Sequence, residues 1–98
     1  MVQRCMKQYR ILFTDAAEKD KKKLVKSGDK QALKKIDKLI TELRKHPRTG
    51  EGKPEPLIHY NGDVWSREIT LKHRLVYEIF DDTIVVEVFQ AWGHYDDR

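Results

Sequence analysis

The sequence predicts an α+β fold in one domain covering residues 1–98. A two-helix hairpin packs on a small antiparallel β-sheet, in the order β-α-α-β-β-β. Three observations lead there. Apolar residues recur every three or four positions through the middle of the first half, the period of a helix with one buried face. They alternate with polar residues near the N-terminus and through most of the second half, the period of a half-buried strand. A Gly/Pro-rich stretch from Arg48 to Tyr60 separates the two regimes.

The elements follow in order. "QYRILFT" (Gln8–Thr14) alternates Tyr9, Ile11 and Phe13 with Arg10 and Leu12, giving a first strand. Asp15 is positioned to cap a first helix, with Glu18 three residues on as its reciprocal partner. That helix is expected over about Ala16–Lys26 and stops at Ser27-Gly28, because glycine adopts positive φ cheaply. Asp29 caps the second helix, whose stripe is Leu33, Ile36, Leu39, Ile40 and Leu43. Pro47 ends it. The joint between the helices is short, so an antiparallel hairpin is expected.

"DVWSREIT", "HRLVYEIF" and "TIVVEVFQAW" read as three further strands, and Asp81-Asp82 leaves room for a tight hairpin turn. Trp65, Tyr77, Phe89 and Trp92 lie at strand spacing and are expected in the core rather than stacked on bases.

Composition narrows the function classes. No apolar run reaches the ~20 residues of a membrane span. The start "MVQRCMKQYRILF" carries no signal-peptide pattern. A single cysteine, Cys5, forms no intrachain disulfide and points to the reducing cytoplasm. One cysteine and four scattered histidines show no metal-ligand spacing, so neither a metal nor another cofactor is expected. Residues 19–48 hold twelve Lys/Arg against four Asp/Glu, or +8, whereas residues 50–98 hold five against ten, or −5. A segment of +8 suits a polyanion or a lysine-solvated helix face.

No phosphate-cradling glycine loop or nucleophile elbow appears. What remains is a set of polar residues near strand ends: Lys53 and Glu55 in "EGKPEPLIHY", Arg67, Arg74 beside His73, and His94-Tyr95. Singly they suit duller roles, Glu55 in a turn, Arg74 in a surface ion pair, His94 in an exposed tail. Gathered on one surface, a carboxylate, an imidazole and a guanidinium could cleave RNA without a metal. Pro54 and Pro56 bias the residues before them to extended geometry, so Lys53 and Glu55 are both expected to be extended.

The string "GEGKPEPLIHYNGDVWSREITLKHRLVYEIFDD" with its later "GHY" resembles the Txe/YoeB family of bacterial toxins, within the RelE-like superfamily of toxin–antitoxin systems. The likeness in words runs from Gly50 to Tyr95, and the first half matches in helix pattern. The resemblance implies a RelE-like fold and a ribosome-dependent endoribonuclease that cuts mRNA in the ribosomal A site. It implies as partners the 70S ribosome, its mRNA and an antitoxin whose C-terminal segment wraps the toxin. A homodimer is compatible with it. By match of motif, Glu55 is the general base, Arg74 the stabiliser of the transition state, His94 the general acid and Tyr95 the adjacent residue that shapes the site. Arg67 and Lys53 become phosphate contacts. The chain departs from the pattern at Ile58 and Glu68, where relatives often carry a lysine and an arginine. A non-catalytic ribosome- or antitoxin-binding module is the alternative these departures raise.

Overall fold

A computed structural model describes residues 8–93 of the chain. Strand β1 (Arg10–Phe13) leads into helix α1 (Asp15–Ser27) and then helix α2 (Lys30–Leu43). Strands β2 (Glu55–Pro56), β3 (Val64–Glu68), β4 (Arg74–Phe80) and β5 (Val85–Gln90) follow. Together the strands form one sheet in the order β1-β5-β4-β3-β2. The α+β class is as expected.

The sheet is mixed rather than wholly antiparallel. β1 runs parallel to β5, with Arg10 opposite Val85 and Phe13 opposite Val88. The two helices supply the crossover that a parallel pair needs. β2 is an addition: two residues of the Gly/Pro-rich loop pair with β3, Glu55 opposite Ser66 and Pro56 opposite Trp65. Prolines suit this position because an edge strand has one unpaired side.

The helix caps explain the boundaries. Thr14, not Asp15, caps α1: its hydroxyl accepts the Ala17 N–H at 3.2 Å. Asp15 and Glu18 then sit in the first turn, where negative charge meets the positive end of the helix dipole. Gly28 closes α1 at φ 74°, and Asp29 caps α2 by accepting the Ala32 N–H at 3.1 Å. The turn between β4 and β5 is longer than the expected tight hairpin. It takes four residues, Asp81 to Ile84, and Ile84 stands at φ 58°.

One sheet face packs on the helices. Ala17 and Leu24 of α1 and Ala32, Ile36, Leu39 and Leu43 of α2 meet Leu75, Tyr77, Ile79, Val86 and Val88. Each such leucine or isoleucine contributes roughly 1.5–3 kcal/mol by leaving water. Trp65 and Trp92 pack at the margin of this core, and Tyr77 lies fully inside it. The opposite face carries a smaller cluster of Leu57, Val64 and Val76, flanked by Tyr60 and Phe89. The rest of that face is open. Among the described residues no helix is long and apolar enough to cross a membrane.

Candidate active site

The candidate site is built on the open face, at the end where β2, β3 and β4 lie side by side. Glu55 is brought there by its loop. Gly52 accepts the Glu68 N–H through its carbonyl at 2.6 Å, which ties the loop to β3. A Cβ on Gly52 would stand 2.9 Å from the Glu68 carbonyl oxygen and 3.1 Å from Arg67 Cβ, so no side chain fits. Lys53 then turns the chain at φ 52°. This corrects the expectation of an extended Lys53. The backbone must reverse between the Gly52 contact and the β2 pairing, and that requirement overrides the bias imposed by Pro54. A non-glycine residue at such φ costs roughly 1–2 kcal/mol, strain of the kind that collects at functional sites. Glu55 itself is extended and exposed.

Register places Glu55 and Arg74 on the same face. Glu55 stands opposite Ser66, and Ser66 opposite Val76, so the three form a row across the sheet. Arg74 is two residues before Val76 and directly opposite Glu68. Two strand spacings across and two residues along separate the Glu55 and Arg74 Cα atoms by about 12 Å. Lys53 is exposed in the loop beside Glu55. Beside Glu55, on the neighbouring strand, the Ser66 hydroxyl is buried and finds no hydrogen-bond partner among the described residues. A register shift between Val76 and Tyr77 bulges β5 at Phe89 and bends the sheet beside this row.

Arg67 is a different matter, and its expected role as a phosphate contact is overturned. The strand alternation puts it on the helix face with Trp65 and Ile69, and it is fully buried. All five of its N–H donors are occupied. Nε donates to the Tyr77 hydroxyl at 3.0 Å. One terminal nitrogen donates to Glu42 Oε1 at 2.9 Å and to the Glu51 carbonyl at 3.3 Å. The other donates to the carbonyls of His46 at 2.5 Å and Thr49 at 2.7 Å. The Tyr77 hydroxyl in turn donates its O–H to the Pro47 carbonyl at 2.8 Å. Burial holds the Tyr77 phenol above its usual pKa, against the opposing pull of Arg67. Arg67 therefore pins the loop that delivers Glu55 and has no donor left for a ligand. Glu42 completes the clamp by accepting the Glu51 N–H at 2.8 Å.

His94 and Tyr95 lie outside the described residues. Their starting point is well defined. Gly93, at φ 75°, donates its N–H to His73 Nδ1 at 2.8 Å and accepts the Arg74 N–H at 2.8 Å. The chain therefore leaves β5 beside the first residue of β4. The sequence reading missed the parts played by Ser66, Glu42 and His73. The alternation signal did put His73 on the opposite face from Arg74, and that was the available clue. No group of three His, Cys, Asp or Glu able to hold a metal is gathered among the described residues.

A two-helix layer over a mixed five-stranded sheet is the RelE-like toxin architecture. Residues 13–95 match the family model for the YoeB-like toxin of bacterial type II toxin–antitoxin systems. Toxin YoeB of Streptomyces coelicolor is 41% identical over 86 residues, covering 88% of this chain and 99% of the relative. Among solved structures, a YoeB/ParE toxin from Agrobacterium tumefaciens superposes with a TM-score of 0.75 at 34% identity, over 88% of this chain and 99% of that one. A YoeB dimer from Staphylococcus aureus gives 0.75 at 32%, and a heterotetrameric YoeB–YefM toxin–antitoxin complex from the same organism 0.71 at 32%. Each covers 90% of this chain and 99% of its own. The chain belongs to the YoeB family of toxins of type II toxin–antitoxin systems.

Proposed function

We propose that the chain, acting as one toxin domain in the cytoplasm, is a ribosome-dependent endoribonuclease that cuts mRNA in the ribosomal A site. Glu55 takes the proton from a ribose 2′-hydroxyl, whose oxygen attacks the adjacent phosphorus. Arg74 steadies the added negative charge through its forked donors. His94 protonates the departing 5′-oxygen, Tyr95 shapes the site around it, and Lys53 contacts a neighbouring phosphate. The balance of protons closes without a metal. The observation that carries the reading is the shared open face of Glu55 and Arg74, set by strand register, in a chain of the YoeB family. The lysines exposed along α1 and α2 face the ribosomal RNA. An antitoxin neutralises the toxin by forming a complex of the kind that YoeB and YefM of a relative form, and a second copy can associate as in the relative's dimer.

The test is purified protein on ribosomes programmed with a defined mRNA, with ends mapped by primer extension. New ends at the A-site codon are expected. They should fall about 10²–10⁴-fold in rate for Glu55→Ala, the size of a general-base contribution. Unchanged cleavage by Glu55→Ala would remove Glu55 from the mechanism.

A second reading has one observation of its own. Glu68 stands directly opposite Arg74 and puts an acid where another cation would serve a phosphate. It makes the chain a non-catalytic module that binds ribosome or antitoxin. Translation arrest without new mRNA ends would favour it.

A further inference from the structure

We propose that His73 is a positioning residue that fixes Gly93 against Arg74 and so sets the point from which the chain continues to His94 and Tyr95. The inference rests on the proposed cleavage reaction and adds to it a residue that touches neither substrate nor scissile bond.

The latch is visible residue by residue along the exit from β5. The Ala91 N–H is held by Asp20 Oδ2 at 3.0 Å, which ties the exit to α1. The Trp92 carbonyl accepts from the Gln90 side chain at 3.2 Å. Lys23 lies 5.5 Å over the Trp92 ring. The same ring packs on the His73 imidazole, with centroids 4.4 Å apart. Gly93 is then held at both backbone groups, its N–H by His73 Nδ1 and its carbonyl by the Arg74 N–H. Three consecutive residues, Ala91 to Gly93, are thus fastened immediately before His94.

His73 is itself rigid. It closes the β3–β4 turn, where its carbonyl accepts from Ile69 at 2.9 Å and Thr70 at 3.1 Å and its N–H returns to Thr70 at 3.3 Å. The residue is only 8% exposed and borders a cavity of about 370 Å³ with Ser27, Asp29, Lys72 and Trp92. A backbone N–H can only donate, so Nδ1 here carries no proton and the neutral ring holds its proton on Nε2. The imidazole acts as a fixed acceptor, not as an acid.

Geometry makes this matter for the reaction. Gly93 sits in left-handed backbone, and a Cβ there would meet no neighbouring atom within 4 Å. Surrounding atoms do not crowd it into place, so its hydrogen bonds set its direction. A small rotation at Gly93 swings everything after it, and displacement of a proton donor by an ångström costs on the order of a hundredfold in rate.

Two substitutions separate the latch from the fold. His73→Phe keeps the stacking on Trp92 and removes the acceptor. His73→Asn restores one, since Oδ1 is as many bonds from Cβ as Nδ1. Both are read by single-turnover cleavage on programmed ribosomes, by ribosome affinity, and by amide hydrogen exchange at Gly93. His73→Phe is expected to slow cleavage and to speed Gly93 exchange, each by about tenfold, the size of one lost hydrogen bond. Ribosome affinity should stay as in the parent. His73→Asn should recover most of both losses. Cleavage by His73→Phe at the parent rate, or a His73→Asn variant as slow as His73→Phe, overturns the proposal. Absence of cleavage by the parent protein defeats the ribonuclease reading and with it the catalytic part of the latch. Gly93 exchange then decides the contact alone, and exchange unaltered by His73→Phe refutes it.

Discussion

Replacing Arg67 by methionine strips the donor from three loop carbonyls and from the Glu42 carboxylate at once. Removing one partner from a buried charge network costs roughly 3–5 kcal/mol. A domain of this size loses ~4–8 °C of melting temperature per kcal/mol, so Arg67→Met should lower the melting temperature by about 12 °C or more. Arg67→Lys should recover little, because an ammonium cannot span five acceptors in a fork. Thermal unfolding followed by circular dichroism measures both. An unchanged melting temperature with weakened ribosome binding would return Arg67 to the ligand-contact role. The residue also shows where sequence reading failed and why. Motif resemblance groups Arg67 with the phosphate contacts, yet alternation with Trp65 and Ile69 already assigns it to the covered face. Glu55 and Arg74 each lie in a motif of the resemblance and share a face, and for them the two signals agree.

The helices and the long strands were legible because their periodicity repeats over many residues. The stripe Leu33, Ile36, Leu39, Ile40 and Leu43 is the stripe that packs on the sheet, in buried or partly buried positions. β2 was not legible, since two residues carry no period. It exists because Gly52 and Arg67 bring its loop to β3. The parallel β1–β5 pairing was hidden as well: alternation reports which face a residue takes and says nothing of its neighbour. At this scale the outer face of the helices makes its own prediction. Lys22, Lys23 and Lys34 are exposed, and Lys35 is half-exposed. Reversing all four to glutamate changes the charge by −8, taking the net charge from +4 to −4. The fold should remain, by circular dichroism. Ribosome binding should weaken and its salt dependence should flatten, because fewer counterions are released per contact. Equal sedimentation with ribosomes at matched salt would rule out the basic face as the docking surface.

Across the whole molecule, stability should fall on the alkaline side. Tyr77 is buried, and its folded pKa is raised above the ordinary value of 10.0. The unfolded chain therefore loses this proton first. The contribution is fully present below about pH 10 and is lost as pH rises beyond it, since the folded state then binds more protons than the unfolded state. Denaturant unfolding at pH 8 and above about pH 10 should show this loss, and Tyr77→Phe should reduce it. A pH-independent midpoint over that interval would contradict the assignment. The fold has one further consequence, in time rather than space. β1 takes its place in the sheet only by pairing with β5, and the two belong to opposite ends of the described chain. While the protein is being synthesised, β1 has no strand to join until residues 85–90 have been made. The sheet closes last at the strand that leads to Gly93. A nascent chain thus cannot complete its five-stranded sheet until that strand is free.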